Sequence, residues 1–221
     1  MPSYNSLDDH IVDECASLLA KINLSLNDMD LPLGISQDFF KFMTPANAYK
    51  SYTKSLTKAL DNNEMLIIEN IKKRIELLEY IKDWEFDTKR LSYYNSHGDF
   101  TTNQLVINDK INIIDFTSAC KQPIIWEITR FFFHADKSAL NGKLNINRFN
   151  KYLEKYTDVL KLNEYDLKNI FKLYFYQILV CDYYSQYYKE SNENKKIDYL
   201  NQANFASKII FSNEKLIKNM S

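Results

Sequence analysis

Glycine is scarce. The 221-residue chain holds three, Gly34, Gly98 and Gly142. That excludes both a GxGxxG fingerprint and a GxxxxGK[ST] loop, so no glycine-rich phosphate cradle is present. Cysteine is as rare: Cys15, Cys120 and Cys181 are odd in number, far apart and free of CxxC spacing. This pattern gives neither a disulfide framework nor a zinc site, and it fits a reducing cytoplasm. No sign of charge dominates, the formal net charge being -1 and the pI about 6.3. A nucleic-acid binder carries a basic bias, so no nucleic-acid partner is expected. Long apolar runs are missing too. The most apolar stretch, "IIWEITRFFFHA", contains charges and is too short to span a bilayer. The N-terminal "MPSYNSLDDHIVDEC" lacks a basic region ahead of an apolar run, so neither a secretory signal nor a membrane partner is expected. The three histidines, His10, His97 and His134, are widely spaced with no HExxH, which disfavours a metal-dependent hydrolase.

What is present is globular material. Hydrophobic residues make up 45% and charged residues 26%, and the length suffices for a sizeable core. Most of it has helical periodicity. Ile11, Cys15, Leu18 and Ile22 form one apolar stripe over 7–22, with Ser6, Asp8 and Asp9 at the positive end of the helix dipole. Residues 24–45 are looser, punctuated by "DLPLG". Helices are expected at 46–60, 63–82, about 124–136, 145–158, 164–190 and 195–218. The 164–190 helix is apolar almost all round and should be buried. Its tyrosines, Tyr183, Tyr184, Tyr187 and Tyr188, belong at the edge of a core rather than on a stacking platform.

One segment breaks the pattern. "SHGDFTTNQLVINDKINIIDF", residues 96–116, holds two β-rich runs, "QLVIN" and "INIID", separated by Asp109-Lys110. This is a hairpin pattern. With Asp109-Lys110 as a two-residue turn, Gln104 faces Asp115 at the open end. Directly opposed residues hold their Cβ atoms about 4.5–5.5 Å apart, close enough for an amide oxygen and a carboxylate to share one hard cation. Asp99, in the loop that feeds the hairpin, can curl over the same end. Gly98 would let the backbone turn tightly before Asp99, and His97 could brace the loop. The expected fold class is mainly α with a small β-hairpin, in a single domain over 1–221.

At these residues the chain resembles the aminoglycoside phosphotransferase and choline kinase-like family, relatives of the protein kinases. "HGDFTTNQLVIN", "INIIDFTSAC" and "PIIWEITRFF" carry the resemblance, which is specific over about 97–130. The family's catalytic loop has H-G-D, four residues and an Asn, and its metal aspartate lies in an I-D-F segment. The helix that follows matches at "WEITR", with Thr129 in the place of the usual Ala. The resemblance implies the C-terminal, helical lobe of a protein-kinase-like fold, with catalytic loop and metal hairpin at 95–116. It implies transfer of the γ-phosphate of ATP to a small-molecule hydroxyl, with Mg2+ as cofactor. Asp99 would be the catalytic aspartate. Asp115 would hold the metal, as would Gln104, which stands where the family has Asn; Asn103 is the competing candidate. His97 and Gly98 would shape the loop, and Glu127 and Arg130 would anchor the helix to it.

The resemblance also sets a departure. The family's N-terminal lobe brings a β-sheet, a phosphate-contacting lysine and an adenine pocket, and nothing before residue 97 has that pattern. The chain is therefore expected to lack a nucleotide lobe, as a truncated or split phosphotransferase. The lobe face would then be open to a partner chain or to self-association. The alternative is a catalytically silent binding or regulatory module acting through protein contacts.

Overall fold

The computed structural model describes residues 6–35 and 37–220; residues 1–5, which begin the segment tested for a secretory signal, lie outside the described residues. In chain order the elements are α1 (Asp9–Ser25), α2 (Gln37–Phe42), α3 (Pro45–Asp61), α4 (Met65–Ile81), β1 (Tyr93–Ser96), β2 (Leu105–Ile107), β3 (Ile111–Ile113), β4 (Cys120–Pro123), α5 (Ile124–Ala135), α6 (Lys137–Leu140), α7 (Ile146–Thr157), α8 (Glu164–Val180), α9 (Tyr183–Lys189), α10 (Glu193–Ser212) and α11 (Glu214–Asn219). They divide into two compact units. One runs to Asp38 and resumes over Asp87–Tyr174; the other comprises Phe39–Phe86 and the segment from Phe175 onward.

The first unit holds both small sheets. Its core is the buried face of α1 (Val12, Cys15, Leu19) against α7 (Phe149, Tyr152, Tyr156), with α5 supplying Phe131, Phe132 and Phe133, all 0% exposed. Burying each such aromatic ring is worth about 1.5–3 kcal/mol. Rings interlock at centroid distances of 5.0 Å for Phe132–Phe149 and 4.6 Å for Phe133–Tyr174. The buried hydroxyls find partners, as they must. Tyr156 donates to Asn23 Oδ1 (3.0 Å) and Tyr152 to the Ile128 carbonyl (3.0 Å). Arg148 at the start of α7 pairs with Asp13 of α1 at 2.6 Å, tying the two helices at their ends.

Both sheets are antiparallel pairs, β1 with β4 and β2 with β3. The β2–β3 register is Leu105↔Ile113, Val106↔Asn112 and Ile107↔Ile111. It lies one residue from the expected pairing. The loop is Asn108-Asp109-Lys110, and the residue paired with Gln104 through the ladder is Ile114, whose N–H donates to the Gln104 carbonyl at 3.0 Å. A two-residue type I′ turn needs left-handed backbone at both positions. Among the described non-glycine residues only Asn63 and Asp115 have positive φ, so this loop opens by one residue instead.

The second unit contains the α3–α4 hairpin and α9–α11. Thr44 caps α3 by accepting from the Asn47 N–H, and Pro45 takes the first helical position, where its missing N–H costs nothing. The helix expected over 164–190 is two helices with a break at Cys181-Asp182. Two side chains make the break. Asp182 accepts from the Ser185 N–H at 3.0 Å and so starts α9. Arg74 of α4, 1% exposed, donates to the carbonyls of Ile178 and Cys181 and to the Tyr52 hydroxyl (2.7 Å). Carbonyls in a last helical turn have no partner within the helix, and a cation suits that end of the dipole. Leu167 of α8 is 45% exposed while Leu173, Phe175 and Leu179 are fully buried, so burial is not uniform along the helix. The 195–218 helix also divides, at Asn213, whose amide Nδ2 donates to the Ile209 carbonyl at 2.8 Å. Of the tyrosines, Tyr184 is fully buried, and Tyr187 and Tyr188 donate to the two carboxylate oxygens of Glu64. They belong to the packing, as the sequence suggests.

Candidate active site

All the candidate residues lie in the first unit. β1 delivers the chain to them. Asn23 of α1 donates from Nδ2 to the Asn95 carbonyl (2.9 Å) and to Ser96 Oγ (3.2 Å), while Asn95 donates to the carbonyls of Leu26 and Met29 (both 2.6 Å). The strand end is therefore fixed before the turn begins.

His97 is fully buried. Its Nε2 lies 2.9 Å from the Ile114 carbonyl, and its Nδ1 accepts from the Asp99 N–H at 3.4 Å. That pattern assigns the ring proton to Nε2. Phe116 (4.5 Å) and Phe100 (5.8 Å) pack on the ring. His97 thus links the turn bearing Asp99 to the strand end bearing Asp115.

Gly98 has φ +83°, and a Cβ there would stand 1.8 Å from the Ser118 carbonyl oxygen. No other residue fits. Both the left-handed backbone and the close approach require glycine.

Asp99 is held on both oxygens. Arg130 of α5 pairs with Oδ1, and the Gln104 amide donates to Oδ2 at 3.3 Å. The same guanidinium also donates to the Gly98 carbonyl at 3.2 Å. One turn earlier on α5, Glu127 accepts from the Phe100 N–H at 3.3 Å. Glu127 is fully buried, and desolvation holds its carboxyl above the usual range against the opposing pull of the Phe100 N–H and Arg130. Burial, with Glu127 second, pushes the nearby Cys120 thiol up to about 11. Glu127 and Arg130 do anchor α5 to the loop. Thr129, between them, donates to the Ile125 carbonyl at 2.8 Å and is buried.

Asp115 lies in left-handed backbone, φ +62°. Its carboxylate accepts from the N–H and the hydroxyl of Thr117, and these bonds hold its pKa below the ordinary value. The carboxylate is ionised and exposed.

No model of a known protein family matches the sequence, and no curated protein matches it. Among solved structures the chain is similar to an aminoglycoside phosphotransferase from Alicyclobacillus acidocaldarius, with a TM-score of 0.60 and 13% identity over 97% of this chain and 68% of that one. The chain has a kinase-like phosphotransferase fold.

Within that fold the structure brings together Asp99 with Gln104, and His97 with the residue before Asp115. It does not set Gln104 opposite Asp115: the register puts Ile114 there, and the Asp115 side chain turns to Thr117. Among the described residues no three His, Cys, Asp or Glu side chains cluster as a metal site. The donors on hand are one exposed ionised carboxylate and an amide oxygen, Gln104 Oε1, left by an amide that donates through Nε2. By type these are donors that magnesium accepts, one or two carboxylates completed by waters and substrate phosphates, but Gln104 is turned to Asp99 and Asp115 to Thr117. One partner was not legible in advance. Thr117, two residues past Asp115, carries only the general signal of an Asx-type turn.

No described helix is long and apolar enough to cross a membrane.

Proposed function

We propose that the chain belongs to the aminoglycoside phosphotransferase and choline kinase-like family and serves as the C-terminal lobe of an ATP-dependent small-molecule phosphotransferase. The observation that carries this reading is the clamp on Asp99, a carboxylate aimed by Arg130, Gln104 and the glycine turn in a phosphotransferase fold. Asp99 would orient an acceptor hydroxyl and take its proton, the role such a residue plays in phosphoryl transfer. Asp115 and Gln104 would hold Mg2+, which when bound neutralises charge on the nucleotide phosphates. His97 and Gly98 keep the two aspartate-bearing turns in one arrangement. Free thiols at Cys15, Cys120 and Cys181 suit a cytoplasmic setting.

The experiment is calorimetric titration of ATP and magnesium into the chain, with Asp115→Ala as control. Magnesium-dependent binding lost in the variant is the expected result.

One observation favours a second reading, a catalytically silent kinase-like module. Both oxygens of Asp99 already have protein partners, so an acceptor hydroxyl must displace one. On that reading ATP does not bind with magnesium, and the exposed face serves a partner chain or a second copy.

A further inference from the structure

We propose that the second unit carries an anion site of its own, for a small, multiply phosphorylated metabolite, in a cavity between α3 and α9. The proposal does not rest on the phosphotransferase reading.

The cavity measures about 320 Å³ and is lined by Lys50, Lys54, Lys58, Lys189, Ser51, Ser55, Ser185, Asn47 and Tyr188. That volume is at the lower end of the range for small-molecule pockets. No carboxylate lines it. The chain as a whole has a net charge of -1, so four lysines around one hollow are a local concentration against the overall balance. Four other lysines, Lys73, Lys82, Lys196 and Lys218, form ion pairs, the shortest being Lys73 and Lys218 with Glu214 at 2.9 and 2.6 Å. None of the four cavity lysines has a carboxylate within ion-pair distance among the described residues.

The spacing matters. Lys50, Lys54 and Lys58 stand at four-residue intervals, one above another on α3. Like charges so placed repel along the helix, and a bound polyanion reverses that repulsion. The row is about 12 Å long at 1.5 Å per residue, enough for two phosphate groups rather than one. Lysine serves phosphate as a point charge on a flexible stem, and a hollow lined by one sign of charge concentrates the field. Glu64, which accepts from the Tyr188 hydroxyl, is one nearby negative group, and Asp182 is another. Asp182 accepts the Ser51 and Ser55 hydroxyls at 2.7 and 2.9 Å and lies in the field of buried Arg74. Recognition therefore falls to the ammonium groups, with the Ser185 hydroxyl beside them. Lys58 and Tyr188 also line an adjoining hollow of about 330 Å³, but Asp61 and Glu190 line it too, so the anion is confined to the first cavity.

The test is calorimetry of inorganic pyrophosphate, without magnesium, into the full chain at about 0.15 M salt, where exposed charges are screened beyond about 8 Å. One saturable site is expected. Lys54→Gln and Lys189→Gln should each weaken it about tenfold, the loss of one charge-assisted contact. Lys82→Gln, on the far end of α4, and Asp115→Ala should leave it unchanged; the latter separates this site from the nucleotide reading. Heat that never saturates, or lysine variants that bind like the parent, would overturn the proposal. Preference for vesicles containing phosphatidic acid over pyrophosphate would overturn the soluble ligand.

Discussion

Arg130 of α5 pairs with Asp99 and, through its other amino group, with the carbonyl of Gly98. One guanidinium thus fixes both the direction of the carboxylate and the backbone that presents it. On the proposed function, Asp99→Asn should keep the fold and lower transfer about a hundred- to ten-thousand-fold. Arg130→Gln should lower kcat far more than it raises KM for the acceptor, with partial recovery in Arg130→Lys. Its stability cost should be only about 1 kcal/mol, because the Asp99 side chain is 38% exposed and screened.

Gly98→Ala should be severe. The added Cβ meets the Ser118 carbonyl oxygen at 1.8 Å and the backbone is left-handed. A loss of about 2 kcal/mol or more is expected, seen as a lower urea midpoint with unchanged slope. Unaltered stability would mean that the two turns can separate freely.

Glu127 gives a pH signature. Burial raises its folded-state pKa above the ordinary 4.5, so the folded state binds more protons than the unfolded state just above that pH. Stability therefore falls as pH rises from about 4.5 through the folded pKa. Glu127→Gln, which still offers an oxygen to the Phe100 N–H, should flatten that slope. Urea titrations at several pH values compare the two proteins directly.

Arg74→Met should cost about 3–5 kcal/mol, the range for removing one member of a buried charged network. The variant leaves the carbonyls of Ile178 and Cys181 and the Tyr52 hydroxyl without their donor. Thermal unfolding would register it as a large fall in Tm. Asp182→Ala removes the α9 cap and the acceptor of the Ser51 and Ser55 hydroxyls, and should cost about 1–3 kcal/mol.

The long helices were legible because each carries its own periodicity; the short α2 and α6, of six and four residues, were not expected. The stripe at Ile68, Ile71 and Leu78 predicts α4 without any knowledge of what lies opposite. The breaks were not, since they depend on distant residues: nothing near Cys181 announces that an arginine a hundred residues earlier will take its carbonyl. The hairpin was legible and its register was not. A loop without glycine left the choice between two and three residues to backbone geometry, and the difference moved Asp115 off the position opposite Gln104. Around Asp99 the motif identified the residues, and the anchoring by Glu127 and Arg130 followed from the helix it names. Thr117 did not, because a threonine two residues past an aspartate is common in any turn.

Gly98 lies against the Ser118 carbonyl with no side chain between, and His97 binds the carbonyl just before Asp115. The turn of Asp99 and the turn of Asp115 are therefore geared together. A side chain at that glycine would disturb both turns at once.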